Sequence, residues 1–266
     1  HIPEETLVFF KDTLESAETA RRMKNYHHCF EHYNVLSDYF EKMSDLRTAM
    51  YFYARCSEVA TEVDARESIA KANLNLGLCE EKQSHWEEAM KYHEKALLIA
   101  NQADSLPLQI RSASRLVHVY RTLAEKCEKA NKLEDATVFY ERCLHCARLS
   151  KDSALEGDAC HRLGKAKHNL GNYDKAIELQ TAYLDMAKTL DDRAGEAAAR
   201  AALAHAYEAI GNKKEAINHL ECLLNVANDA GELQAQVSAC LNLGLLYHDR
   251  CEFEKSVELL EQHFDP

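Results

Sequence analysis

The 266 residues carry a formal charge of −12, with 46% hydrophobic and 29% charged side chains but only eight glycines and three prolines. So few breakers among so many charges predict an all-helical chain, and the acidic balance excludes the basic stripe that a nucleic-acid groove or an anionic membrane surface calls for. No run of apolar residues reaches the length of about 18 that a spanning helix needs, so no membrane segment is expected.

The first element is a helix over 4–22, with Leu7, Phe10, Leu14 and Ala17 on one face. The N-terminal HIPEETLVFF stretch has neither a basic n-region nor a cleavable apolar core, so no signal peptide is expected and the cytoplasm is the expected compartment.

From residue 25 onward one unit recurs. A leucine followed by a small residue appears as Leu36-Ser37, Leu76-Gly77, Leu123-Ala124, Leu163-Gly164, Leu203-Ala204 and Leu243-Gly244. Twelve residues after each small residue stands another: Ala49, Ala89, Ala136, Ala176, Ala216 and Ser256. The steps are 40, 47, 40, 40 and 40 residues, which gives six copies. Small residues on both helices of a pair let the two axes cross closely. The spacing predicts helix pairs at 25–43/45–63, 66–83/85–103, 107–130/132–150, 153–170/172–190, 193–210/212–230 and 233–250/252–264. After each elbow Leu46, Trp86, Leu133, Tyr173 and Phe253 share one site, and Lys213 breaks that column. No hairpin can bury its apolar face alone, so the copies must stack. The domain reading is a capping helix over 1–24 and one continuous six-repeat solenoid over 25–266, whose last helix calls for further chain or a partner to cover it. The seven extra residues of the third copy fit either a longer loop or a longer first helix offering Leu108 and Ile110 as a docking ledge.

The pattern of small residues and leucines resembles the tetratricopeptide repeat family, in a long variety of about 40 residues per unit seen in kinesin light chains and spindle adaptors. The resemblance implies a right-handed α-solenoid, all-α, with six hairpins plus the N-terminal helix. Three stretches, AETARRMKNYHHCFEHYNVLSDYFEKMSDLRTAMYFYARCSEVA, SRLVHVYRTLAEKCEKANKLEDATVFYERCLHCARLSKD and KTLDDRAGEAAARAALAHAYEAIGNKKEAINHL, are similar to an axonemal branch of that family. That resemblance implies a scaffold or adaptor of the motile cilium or flagellum axoneme, part of the cytoskeleton, with axonemal dynein or intraflagellar transport components as partners. The alternative is a cytoplasmic peptide-binding adaptor of the kinesin light chain or spindle-orientation type.

No Gly-rich phosphate loop, Gly-x-Ser-x-Gly elbow or His-Glu-x-x-His pattern occurs, so neither an enzyme nor a cofactor is expected. Ten cysteines lie inside helical patterns with no regular series of Cys-x-x-Cys pairs, which predicts mostly reduced, buried thiols. Cys143 and Cys146 supply half a tetrahedral metal site, and His27, His28 and Cys29, being consecutive, are not expected to converge, so no metal is expected.

Binding is the remaining function class. In stacked hairpins the first helices line a groove, and the register places Arg121, Glu125, His161, Lys165, His168, His205, Glu208 and His248 on it. Acidic groups dominate the first three copies, while His118, His161, His168, His205 and His248 occupy related faces later. The asparagine-plus-cation clamp with which some family members hold carboxylate tails is not reproduced, since the matching sites carry Glu31, Asn34, Asp38 and Leu74. A protein or peptide partner, extended or helical, is therefore expected in the groove, with no nucleic acid and no membrane.

Overall fold

A computed structural model describes residues 3–264, and residues 262–264 by their backbone alone. Among the described residues there are thirteen helices and no strand: α1 Glu4–Arg22, α2 Tyr26–Lys42, α3 Leu46–Glu62, α4 Arg66–Lys82, α5 Trp86–Gln102, α6 Leu106–Lys129, α7 Leu133–Ser150, α8 Ser153–Asn169, α9 Tyr173–Thr189, α10 Arg193–Ala209, α11 Lys213–Ala230, α12 Leu233–Asp249 and α13 Phe253–Phe264. The all-helical repeat architecture expected from the sequence is what the chain adopts. None of these helices is long and apolar enough to cross a membrane.

The connections explain the regularity. Every one contains a single residue with a left-handed backbone, at positions 24, 44, 64, 84, 104, 131, 151, 171, 191, 211, 231 and 251. The spacing is 20 residues throughout, except for the 27 between Asp104 and Asn131. Such a residue ends a helix by turning its next amide back onto a carbonyl five residues earlier, as in Asn25 N–H to Ala20 O and Asn172 N–H to Lys167 O, both near 2.9 Å. Asn25, Asp45, Asp152, Asn172, Asp192 and Asn212 then cap the following helix with a side-chain oxygen, each cap contributing about 1 kcal/mol. Only Gly171, Gly211 and Gly231 meet the left-handed requirement without a Cβ.

The chain forms two compact units that divide within α6, between Leu123 and Ala124. In the first, α1 to α5 pack each on the next; in the second, α7 to α13 do the same. The first has an aromatic cap where Phe10 of α1 stacks on Phe40 at 4.9 Å and meets Tyr39 edge-on at 5.0 Å. In both, the recurring leucines and small residues are the core. Ala49, Ala89, Ala136, Ala176 and Ala216 are at most 1% exposed and Ser256 7%, and Leu36, Leu76, Leu123, Leu163, Leu203 and Leu243 are buried with them. Burial of each leucine contributes about 1.5–3 kcal/mol. Lys213, which breaks the elbow column, is half-buried and reaches Asp249 with its ammonium at 3.3 Å.

The seven extra residues lengthen a helix rather than a loop, since α6 has 24 residues where most first helices have 17. The docking ledge is not formed. Leu108 is buried among Ala70, Leu74, Ala96 and Ala100, because the added turn of α6 lies against the space those alanines leave.

Candidate functional site

The site is built on a rule of the close helix crossing. Four residues after the small residue of each first helix is a polar side chain, and sixteen after it is the residue that the second helix lays across the gap. In the first unit, Tyr53 donates to Glu41 at 2.8 Å and to Asp38 at 2.9 Å, and the buried His93 sits 2.7 Å from Glu81. In the second unit Tyr140 donates to Glu128 at 3.0 Å. Lys82 adds a 2.5 Å bond to Glu41, and Arg115 pairs closely with Glu81. Against the upward pull of burial, these donors hold the Glu41 and Glu81 carboxyls below the ordinary range. Burial and the neighbouring carboxylates push the Tyr53 and Tyr140 hydroxyls far above theirs. The acids of the early copies, Glu41 and Glu128 among them, are therefore internal cross-braces and not free groove groups.

From α8 onward the crossing residues change to Gln180, Leu220 and Leu260, and the braced acids give way to His168, Glu208 and His248. Gln180 is buried and turns to His161, with its carbonyl oxygen 2.9 Å from Nδ1 and its amide donating to the His161 backbone oxygen at 3.0 Å. It lies against Gly164, where a Cβ would stand 2.6 Å from its amide nitrogen. Burial holds the His161 imidazole below the usual histidine range, and Lys165 adds to that while the Gln180 bond opposes it. The His161 ring also contacts Tyr183, with centroids 4.9 Å apart.

A cleft of about 330 Å³ opens along α8, α9 and α10. Its floor holds Ala176, Ala198, Ala201 and Ala202, whose short side chains leave the space unfilled. Around them stand His161, Lys165, His168, Asn169 and His205, with no carboxylate in the lining. Lys165 and His205 are exposed, and Lys165 has no salt-bridge partner among the described residues. His168 packs edge-on against Tyr173 at 5.1 Å, and its Nε2 is buried without a hydrogen-bond partner. The lining is cationic or neutral with an apolar floor, suited to a small apolar group beside an anionic one.

Four of the eight residues read from the register, His161, Lys165, His168 and His205, thus share one cleft. The others lie elsewhere. Glu125 is half-buried and accepts from Arg162 at 2.9 Å, an arginine that also holds Asp158 at 2.9 Å. Glu208 is exposed on the last turn of α10, outside the cleft lining. His248 is exposed on α12, with its ring edge-on to Phe253 at 5.2 Å. Arg121 belongs to the first unit, half-buried, with its guanidinium 3.2 Å from His118 Nδ1. Gln180 and the alanine floor escaped the register, because they come from the second helix of a pair and from residues read only as packing. The visible signal is a glutamine where the first three copies have tyrosine or histidine and the last two have leucine.

The expectation that His27, His28 and Cys29 do not converge holds for Cys29, which is buried outside the cluster, and is corrected for the two histidines. His27 and His28, though consecutive, do converge, because Glu31 lies between them around α2 and approaches His27 Nδ1 at 3.4 Å and His28 Nδ1 at 2.9 Å.

The tetratricopeptide repeat model matches residues 157–229, the segment that carries the cleft. Over 263 residues, 99% of its length, the chain is 26% identical to tetratricopeptide repeat protein 29 of Trypanosoma brucei brucei. By both comparisons the chain is similar to the tetratricopeptide repeat family. It is 24% identical over 259 residues, 95% of its length, to tetratricopeptide repeat protein 29 of Homo sapiens. This repeat chain spans 54% of the length of each of those two relatives. Among solved structures it is similar to a signal-transduction ATPase with a tetratricopeptide repeat sensor from Pyrococcus horikoshii, with a TM-score of 0.54 and 16% identity over 96% of this chain and 39% of that one. At that identity the likeness shows the repeat fold alone.

Proposed function

We propose that this repeat chain is a non-catalytic scaffold that holds a carboxylate-bearing, extended segment of a protein partner against the α8–α10 face. The cleft supports the reading most directly. A chain of net charge −12 has gathered Lys165, His168 and His205 around an alanine floor with no carboxylate in the lining. An opposite charge on the partner is the economical match. Exposed ion pairs contribute only about 0.2–1 kcal/mol each, so affinity would come from several contacts along an extended segment and from the apolar floor. The similarity to tetratricopeptide repeat protein 29 supports, by resemblance, a setting in the motile cilium or flagellum axoneme, with axonemal dynein or its transport machinery as partner.

The test uses the full-length protein, tagged in ciliated cells. Axonemal enrichment with a defined co-purifying partner, weakened at least tenfold by Lys165→Glu with His205→Glu, is the expected result. An even cytosolic distribution with normal beating after removal overturns the setting. Unchanged partner affinity in the double variant, with an intact helical spectrum, overturns the cleft.

A further inference from the structure

The sequence HHCFEH in the first turns of α2 has five ligand-bearing side chains in six positions, of which Cys29 is buried and His27, His28, Glu31 and His32 are not. At about 100° of rotation per residue, Glu31 projects about 40° beyond His27 and about 60° short of His28, so both rings can lean onto one carboxylate. They do: the potential ligand atoms of His27, His28 and Glu31 all lie within 4.8 Å of one another. The two rings stand nearly perpendicular, with centroids 6.1 Å apart. A metal ion needs donors about 2.0–2.2 Å from a common centre. Because all three side chains are exposed, small rotations close that gap with no packing to disrupt.

The surroundings favour a cation. His28 and His32 line a cleft of about 660 Å³ together with Asp12 and Glu15 of α1. The N-terminus of α2 carries the equivalent of about half a positive charge. Glu31 outweighs it alone, and Asp12 and Glu15 add negative potential from across the cleft. Two imidazoles with one carboxylate are a donor set for zinc, nickel or copper, whereas magnesium and calcium prefer all-oxygen shells. Three protein ligands leave a coordination position for water or for a donor from another molecule.

We propose that His27, His28 and Glu31 form an exposed binding site for a divalent transition-metal ion. It is independent of the α8–α10 cleft, and neither stands or falls with the other. Imidazoles ligate only when neutral, so binding weakens on acidification.

The experiment is calorimetric titration of the full chain, tag-free and with thiols blocked, using Ni²⁺ and Zn²⁺, with Mg²⁺ as the contrasting ion. Expected is one saturable equivalent for Ni²⁺ and Zn²⁺, none for Mg²⁺, and at least a tenfold loss of affinity in His27→Ala with His28→Ala at an unchanged helical spectrum. Glu31→Gln should weaken binding less, since both imidazoles remain. Absence of saturable binding up to about 1 mM metal overturns the proposal, as does undiminished binding in the double variant, which would place the ion elsewhere.

Discussion

Replacement of Gly77 by alanine tests the close crossing at its tightest point. An ideal Cβ on Gly77 would stand 2.5 Å from Cε1 of His93 and 2.7 Å from both ring nitrogens. Comfortable heavy-atom contact lies near 3.5–4.0 Å, so the ring must retreat by about 1 Å. It has nowhere easy to go, because His93 is fully buried and 2.7 Å from Glu81 through Nε2. Overpacking of this kind costs about 1–3 kcal/mol. Loss of a bond to a charged group adds about 1.5–3 kcal/mol. The better helix propensity of alanine returns about 1 kcal/mol. The net is a destabilisation of about 1.5–5 kcal/mol, read as a lower urea midpoint by far-ultraviolet circular dichroism. In a His93→Ala background the same change should be neutral or stabilising by up to about 1 kcal/mol, because only the propensity gain remains. Equal midpoints for wild type and Gly77→Ala, or no difference between the two backgrounds, would refute the crossing argument.

Ala176→Leu places three further carbons at a position 1% exposed and should destabilise by about 1–3 kcal/mol in the same assay; an unaltered midpoint would mean the α8–α9 crossing tolerates bulk. Cys251 turns the chain between α12 and α13 with φ of 61°, so Cys251→Gly should raise stability by roughly 1 kcal/mol, checked by the thermal midpoint. Burial depresses the folded-state pKa of His161 and of His219. The unfolded chain therefore binds more protons just below the ordinary histidine pKa of about 6.5, and the stabilisation present above that value is lost as the pH falls. The urea midpoint should drop between about pH 7.5 and 5.5, and drop less in His161→Gln with His219→Gln; an identical slope in that variant would contradict the assignment.

How much was legible depended on whether a property repeats. The small residues at 37, 77, 124, 164, 204 and 244 recur at a fixed offset from leucine, so helix pairing and elbow positions could be read directly. The turn chemistry was concealed because the left-handed position is filled by serine, aspartate, asparagine, lysine and cysteine as readily as by glycine. Those residues are accepted because the Schellman bonds and the packing of the helices fix the backbone around them. Single residues were harder to place. Leu108 could be read as part of a loop or of an exposed ledge because nothing local says that Ala70, Leu74, Ala96 and Ala100 leave a hollow for it. Glu125 looked free because its partner Arg162 lies 37 positions away. The histidines of the cleft were legible because their positions follow the helical register, whereas Gln180 belongs to a different helix and a different column.

The same column explains why the cleft is where it is. Where the crossing residue is Tyr53, His93 or Tyr140, its polar end is within 3.0 Å of the acid on the partner helix and ties one oxygen of that acid to the crossing. Leu220 and Leu260 can offer no hydrogen bond, and Gln180 spends both ends of its amide on His161. His168, Glu208 and His248 are consequently without a brace from the second helix. In α8 this coincides with the alanine-rich stretch of α10, so an unbraced imidazole, a lysine and a shallow apolar floor meet in one place. Restoring the brace is then a direct probe: His168→Glu with Gln180→Tyr rebuilds the pair found at Glu128 and Tyr140. The small residue beneath the new tyrosine is Gly164, which lacks even the Cβ that Ala124 presents at the equivalent position below Tyr140. The double variant should keep its helical spectrum and stability while losing affinity for an acidic segment, because a carboxylate replaces the imidazole at the cleft. Retained affinity in a well-folded double variant would show that the missing brace has no part in binding.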